Sequence, residues 1–166
     1  MIKKFWLYGF IIVVVLLCFL WILRMNINTI PLLENVKFGS TPRQVTKQLG
    51  TYSDIQYDVA GTGKTAYTYK TTVLDAEATV TCYFLNNFRL VQASVVWDNY
   101  SDVLYDQVYD CLFNQYSSYK HFFVNKDTLN APRAEFSIGI DNGVTGLVYS
   151  IYPTNDSLRV LCIDNS

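Results

Sequence analysis

Three aspartates spaced four residues apart are the most regular set of chemically reactive side chains in the sequence: Asp102, Asp106 and Asp110. Residues four apart share one face of a helix, so the three carboxylates are predicted to form an acidic stripe. Such a stripe could meet a basic partner or hold a cation. Calcium, however, takes six to eight oxygen ligands, which loops supply better than one helix does. A solvated helix face is the simpler interpretation, and contact with a basic partner is the functional one.

Four aromatic residues flank the acidic stripe on the same predicted helix, away from its apolar core face: Tyr105, Tyr109, Phe113 and Tyr116. Exposed aromatic side chains beside charged ones are typical of protein-binding surfaces. The predicted protein-binding residues are therefore Asp102, Asp106, Asp110, Tyr105, Tyr109, Phe113 and Tyr116. Packing of the aromatic residues beneath a loop predicted at residues 120–133 explains the pattern equally well.

The remaining candidates for catalysis are weak. Gly61-Thr62-Gly63-Lys64-Thr65 is similar to the end of a phosphate-binding loop, but Asp58 stands where the first glycine of that motif would fall. A strand pattern follows Lys64, so the helix N-terminus that would complete the amide cradle is missing, and a glycine turn is predicted. His121 is the only histidine, and no nucleophile motif accompanies it. We therefore predict that the protein is not an enzyme.

Three cysteines lie beyond the N-terminal region: Cys82, Cys111 and Cys162. An odd number permits at most one internal disulfide bond, with one thiol left over. Each cysteine falls in an apolar, periodic segment, so buried free thiols and one disulfide both remain open. No Cys-x-x-Cys motif and no Cys/His pair is present, so neither a zinc site nor a cofactor is predicted.

Phe5 to Leu23 is an unbroken apolar run of 19 residues. As a helix it would be about 28 Å long, which is close to the roughly 30 Å thickness of the hydrocarbon core of a bilayer. The residues Trp21–Met25 offer no small side chains for signal peptidase. Leu17 precedes Cys18 where a lipoprotein signal has Gly, Ala or Ser. The run is therefore predicted to be a retained transmembrane anchor, residues 5–23.

The charges around this run predict its orientation. Lys3 and Lys4 precede it and only Arg24 follows directly, so residues 1–4 are predicted to lie in the cytoplasm and the chain from about residue 25 outside it. This describes a single-pass protein of the inner (cytoplasmic) membrane. Without these three residues, ten basic residues face fourteen acidic ones, a net charge of −4. Mild acidity without a basic cluster argues against nucleic acid or anionic lipid headgroups as partners.

Residues 24–37 are predicted to be a tether, in which Pro31, Leu32 and Leu33 are candidates for contact with the domain. After it, the pattern G-x-T-x-x-x-V-x-x-x-L-G extends from Gly39 to Gly50. Thr41 and Gln44 are spaced as a capping box, and Pro42 suits the first position of a helix. Gly50 can adopt the left-handed conformation that ends many helices. The pattern predicts a short helix of two turns.

This pattern resembles the opening of the SmpA/OmlA-type domain, which occurs in small outer-membrane assembly lipoproteins and in proteins with the related β-lactamase-inhibitor-like fold. The matching residues are Gly39, Thr41, Val45, Leu49 and Gly50. The resemblance implies that antiparallel strands follow the helix. It also implies a module that binds other proteins rather than one that catalyses a reaction.

Period-two alternation of apolar residues predicts six strands in two groups. The first group covers residues 66–71, 77–85 and 88–97, and the second is marked by Phe136/Ile138/Ile140, Leu147/Tyr149/Ile151 and Leu158/Val160/Cys162. Between the groups, Ser101–Lys120 has helical periodicity, with Ser101 as the cap. The apolar face of that helix is predicted to hold Leu104, Val108, Cys111, Leu112 and Tyr119.

The order of elements predicts an α+β domain at residues 38–166, built from two αβββ-like units at about 38–99 and 100–166. The units are predicted to share one antiparallel sheet with both helices on its inner face. We expect a membrane-anchored, extracytoplasmic protein-binding module that serves as an adaptor or assembly factor of a bacterial envelope. The alternative is an inhibitor or immunity protein that neutralises a toxin or hydrolase there. In either case the partner is an envelope or secreted protein.

Overall fold

The computed structural model describes residues 10–16, 28–86, 88–119, 121–127, 133–139, 145–154 and 156–165. Helix α1 is described over residues 10–16, and the other helices are α2 (Pro42–Leu49) and α3 (Asp102–Tyr116). The strands are β1 (Asp54–Gln56), β2 (Lys64–Val73), β3 (Ala76–Leu85), β4 (Arg89–Trp97), β5 (Phe122–Asp127), β6 (Arg133–Gly139), β7 (Thr145–Pro153) and β8 (Leu158–Asp164).

The strands form one antiparallel sheet of eight strands in the order β1-β2-β3-β4-β8-β7-β6-β5. The first half of the sheet follows α2 and the second half follows α3, and the halves meet where β4 pairs with β8, for example Val95 with Val160. The prediction of an α+β fold with a single antiparallel sheet is confirmed. Each half carries one strand more than predicted, at the outer edge of the sheet: β1 and β5.

The two additional strands lack the alternation that revealed the others. Strand β1 has only three residues, which is too short to show a period of two. Strand β5 opens with the contiguous apolar residues Phe122, Phe123 and Val124, within a segment that was predicted as a loop. Both strands are held by pairing with one neighbour, β1 with β2 and β5 with β6. Both segments are therefore strands because a neighbouring strand pairs with them, and no pattern within their own residues indicates this.

Helix α2 begins as its sequence predicts. The Thr41 hydroxyl accepts a hydrogen bond from the Gln44 backbone N–H at 3.4 Å, and the Gln44 side-chain oxygen accepts one from the Thr41 N–H at 2.8 Å. This reciprocal box satisfies two of the N–H groups that a helix start leaves free. Gly50 ends the helix with φ 86°, a conformation that favours glycine.

Both helices pack on the same face of the sheet, as predicted. That face is a continuous buried layer formed by alternate residues of the strands, including Tyr69, Val80, Val95, Val160, Tyr149 and Phe136. Helix α3 adds Leu104, Val108 and Leu112 to this layer, and α2 adds Val45. Apolar burial of this kind contributes about 25 cal/mol for each Å² removed from water.

Residues 28–38, here called the N-terminal strap, form part of the same core. Ile30, Leu33 and Val36 are fully buried against the sheet. The strap is folded on itself, because the Ile30 N–H donates to the Val36 carbonyl at 2.9 Å and the Phe38 N–H donates to the Asn28 carbonyl at 2.8 Å. Residues 24–37 were predicted as a tether. From residue 28 onward this segment instead completes the domain core.

Of the predicted membrane anchor, only residues 10–16 are described. They are helical and their side chains are exposed. Among the described residues, no helix combines the length and apolar character needed to cross a membrane. Residues 1–9, 17–27, 87, 120, 128–132, 140–144, 155 and 166 lie outside the described part of the chain.

Candidate functional site

The predicted acidic stripe is exposed along α3. Ser101 caps the helix, its hydroxyl accepting a hydrogen bond from the Leu104 N–H at 3.1 Å. Asp102, Asp106 and Asp110 all face solvent. Asp102 lies in the first turn, where a negative charge interacts favourably with the helix dipole. It also accepts a hydrogen bond from the Tyr100 hydroxyl at 2.7 Å, and this bond raises the pKa of Tyr100.

Three of the predicted aromatic residues form a ladder beside this stripe. Tyr105 and Tyr109 stack with ring centroids 6.5 Å apart, and Tyr109 stacks on Phe113 at 6.0 Å. The inner edge of this aromatic ladder rests on the second half of the sheet, where Tyr109 contacts Phe136 at 5.1 Å and Phe113 contacts Phe122 at 5.9 Å. The ladder is therefore shared between the core and the surface, and Phe113 keeps 39% of its area exposed.

Tyr116 does not belong to the surface, and its placement there was wrong. It is fully buried. Its hydroxyl donates to the Thr29 carbonyl at 2.9 Å. Because a hydroxyl has only one proton, it accepts the hydrogen bond from the Tyr149 hydroxyl at 2.7 Å. The reason is helical spacing, since Tyr116 follows Leu112 by four residues and continues the buried stripe of α3. Burial raises the pKa of both tyrosines above the usual range.

The opposite face of the sheet is a surface that sequence reasoning did not single out. Here Leu161 of β8 pairs with Ser94 of β4 on one side and with Ser150 of β7 on the other, and both serines are nearly buried. We call this surface the open face, because no described helix covers it. It contains Ser94, Val96, Val148, Ser150, Tyr152, Leu161 and Ile163, and Arg159 lies at one end of it between Val96 and Tyr152. In the sequence, this face is indicated only by apolar residues at the strand positions that period-two alternation assigns to the solvent side.

The three cysteines are free thiols. Cys82 and Cys162 point into the core from β3 and β8, and each pairs with Ala93 of the strand between them. Two strand spacings of about 4.8 Å separate them, which exceeds the reach of a disulfide bond. Burial raises the pKa of Cys82 to about 12 and that of Cys162 further. Such thiols are poor nucleophiles, because the thiolate is the reactive form.

The glycine-containing segment before β2 is a turn, as predicted. A short 3-10 turn spans Val59–Gly61, and the Gly63 N–H donates to the Asp58 carboxylate at 2.8 Å. Lys64 starts β2, so a strand follows the turn, and its ammonium donates to the Gln92 side chain at 3.2 Å. An amide that already binds the Asp58 carboxylate is not free to bind a phosphate.

Within the described parts of the chain, no group of three or more His, Cys, Asp or Glu side chains lies close enough together to hold a metal ion. A groove of about 400 Å³ lies between the strap, the end of α2 and the β2–β3 turn. Glu34 and Asp75 lie at its rim, among apolar and uncharged polar neighbours.

Two surfaces remain as candidate sites, and they differ in chemistry. The acidic stripe and aromatic ladder of α3 present carboxylates beside half-exposed rings, whereas the open face presents aliphatic, hydroxyl and tyrosine side chains. They lie on opposite sides of the molecule, because α3 packs on the inner face of the sheet. In comparisons with known proteins, no family model, no curated protein and no solved structure matches this chain.

Proposed function

We propose that this chain is a membrane-anchored, extracytoplasmic protein-binding module, an adaptor or assembly factor of a bacterial envelope. The open face is the observation that supports this proposal. A solvated face of an antiparallel sheet ordinarily carries polar residues. Here Val148, Leu161 and Ile163 occupy its centre, flanked by Tyr152. Aromatic residues and few charges are typical of the buried centre of a protein–protein interface.

The membrane attachment in this proposal rests on the sequence. The 19 apolar residues from Phe5 to Leu23 match the thickness of a bilayer, and Lys3 and Lys4 favour a cytoplasmic N-terminus. The domain would then lie outside the cytoplasm, where envelope and secreted proteins are its available partners. The likeness of residues 39–50 to SmpA/OmlA-type domains is in keeping with a role in binding.

The exposed carboxylates of α3 favour a second candidate function, an inhibitor or immunity protein. Asp102, Asp106 and Asp110 form a single-sign stripe, and such a stripe increases the rate of association with a basic partner. A toxin or hydrolase with a basic surface would fit. The two candidates therefore use different surfaces of the same domain.

Site-specific photo-crosslinking in the native envelope tests which surface is used. A photoreactive side chain is placed at Leu161 on the open face, at Asp106 on the acidic stripe, and at Lys47 as an exposed control on α2. The proposal expects one discrete adduct from position 161 and none from position 47. An adduct from position 106 alone, with an enzyme whose activity falls on binding, would support the inhibitor function instead.

A matched pair of substitutions adds a quantitative test. Leu161→Arg places a charge at the centre of the open face and is expected to reduce partner binding at least tenfold, whereas Lys47→Ala on α2, on the other side of the sheet, is expected to have a small effect. A tenfold change corresponds to about 1.4 kcal/mol. The proposal would be contradicted if Leu161→Arg left binding unchanged. It would also be contradicted if the purified protein turned over a substrate and a single substitution abolished that activity.

A further inference from the structure

We infer that one end of the domain rests on the bilayer surface, with the Phe88 and Tyr57 side chains placed among the lipid headgroups. This inference rests on the anchor in the proposed function and adds an orientation to it. The proximal end is defined here as the end that holds Asn28, the β1–β2 loop and the β3–β4 turn. The partner is the lipid surface from which the chain emerges.

Backbone hydrogen bonds fix where the chain joins the domain. The Asn28 carbonyl accepts from the Phe38 N–H at 2.8 Å. Just after Phe38, Gly39 donates to the Leu90 carbonyl and the Leu90 N–H donates to the Ser40 carbonyl, both at 2.9 Å. Leu90 is the second residue of β4. Asn28 therefore lies beside the start of β4, next to the β3–β4 turn.

Three of the exposed apolar side chains of the strand-forming region lie close together at this end. Phe88 is 73% exposed in the β3–β4 turn, Leu85 is 40% exposed at the end of β3, and Tyr57 is 68% exposed just after β1. The β1–β2 loop adjoins the turn, since the Asn86 N–H donates to the Gly63 carbonyl at 3.4 Å. Aromatic residues that are exposed in this way are typical of the membrane–water interface.

Chain length keeps the proximal end close to the lipid. From Leu23, where the apolar run ends, to Asn28 there are five residue steps, which span at most about 17 Å even when fully extended. The strap cannot lengthen this connection without unfolding, because Ile30, Leu33 and Val36 are buried. The headgroup region of each leaflet is itself about 5–8 Å thick. The proximal end therefore lies among the headgroups or at most about 17 Å from the end of the apolar run.

Charge favours the same orientation. The exported region is acidic overall, but its charges are unevenly placed. Lys37, Lys64 and Arg89 lie at the proximal end, together with Asp58 of the β1–β2 loop and Asp164, which pairs with Arg89, so three basic side chains there face two acidic ones. The turns at the opposite end carry exposed carboxylates: Asp75 between β2 and β3, Asp98 after β4, and Asp156 between β7 and β8. An anionic lipid surface attracts the first group and repels the second. In this orientation the strands stand on the membrane, and the open face stays accessible from the side.

Fluorescence quenching in vesicles tests the orientation. The full chain is reconstituted into vesicles that contain a headgroup spin-labelled lipid, with an environment-sensitive fluorophore on Phe88→Cys, and on Asp75→Cys as the matched control from the opposite end. The parent chain is labelled in parallel to subtract any reaction of its native thiols. Loss of fluorescence at position 88 with retention at position 75 is expected, and Tyr57→Cys should behave like position 88.

The outcomes separate this inference from the proposed function. If the chain floats with the vesicles but position 88 is quenched no more than position 75, the orientation is wrong, while anchoring and protein binding still stand. If the chain fails to float with the vesicles at all, the anchor itself is wrong, and the orientation falls with it.

Discussion

The two halves of the molecule share one topology but complete their cores differently. Each is a helix followed by an antiparallel meander of four strands. In the second half, the 15-residue helix α3 buries Leu104, Val108, Leu112 and Tyr116. In the first half, α2 has only eight residues and buries only Val45. The missing apolar volume comes from the N-terminal strap, which buries Ile30, Leu33 and Val36.

This difference couples the first half to the chain that precedes it. If the first half were covered by its own helix, as the second half is by α3, a flexible linker could connect it to the preceding chain. The first half instead uses the segment nearest the apolar run as part of its core. Tyr116 ties the second half to the same segment through the Thr29 carbonyl. The strap is therefore the element that both halves share.

The largest effect is expected when a buried side chain of the strap is shortened. Leu33→Ala is expected to lower the free energy of unfolding by about 2–5 kcal/mol, the range for a buried leucine in a close-packed core. Leu112→Ala in α3 should have a similar effect, and the exposed neighbour Glu34→Ala should change it by less than about 0.5 kcal/mol. Urea unfolding of the full chain in detergent, followed by circular dichroism, measures all three. Equal stability of Leu33→Ala and Glu34→Ala would show that the strap is not part of the core.

The link between the halves is tested by Tyr116→Phe. The substitution keeps the ring but removes the hydroxyl that donates to the Thr29 carbonyl, and it leaves the buried Tyr149 hydroxyl without that acceptor. A loss of about 1–3 kcal/mol in unfolding free energy is expected, because buried polar groups without partners are unfavourable. Tyr105→Phe on the aromatic ladder is the control and should have little effect. A double-mutant cycle with Tyr149→Phe should show coupling, and additive effects would contradict the shared network.

Helix capping compares the two halves directly. Thr41→Ala removes the capping box of α2, and Ser101→Ala removes the single cap of α3. Each is expected to reduce the free energy of unfolding by about 1 kcal/mol. The exposed substitution Lys47→Ala within α2 serves as the reference. Urea midpoints of the three variants provide the measurement, and a cap variant that unfolds like Lys47→Ala would contradict the role of that cap.

Alkaline pH should destabilise both halves, with no effect at neutral pH. Burial raises the pKa of Tyr69 and Cys82 to about 12 in the first half, and it also raises the pKa values of Tyr149 and Cys162 in the second. A group whose pKa is raised by folding stabilises the folded state below its unfolded pKa, which is 9.0 for cysteine and 10.0 for tyrosine. That contribution is lost as the pH rises from there through the folded pKa.

Urea midpoints measured at about pH 8, 9.5 and 11 should therefore fall progressively above the cysteine value of 9.0. Tyr149→Phe and Tyr69→Phe should each flatten this fall, because each removes a hydroxyl whose pKa is raised by burial. A midpoint that stays constant to pH 11 would contradict the burial of these groups.

Much of the fold could be predicted because its signals are local. The capping box at Thr41 and the cap at Ser101 each depend on residues three apart, and both are present. Alternation revealed strands β2, β3, β4, β6, β7 and β8 for the same reason. The candidate site was predicted only in part. The exposure of Asp102, Asp106 and Asp110 follows from helical spacing, but the open face depends on which side of the sheet the helices cover.

By itself, the sequence determined the capped helices, the alternating strands and the positions of the carboxylates on α3, because each follows from interactions within a few residues. Only the tertiary structure decided that the strap is core, that Tyr116 is buried and that β4 pairs with β8. It also decided that Cys82 and Cys162 stay apart on either side of Ala93. These features arise from contacts between residues far apart in the chain, and no local pattern encodes which distant surface will cover a given apolar side chain.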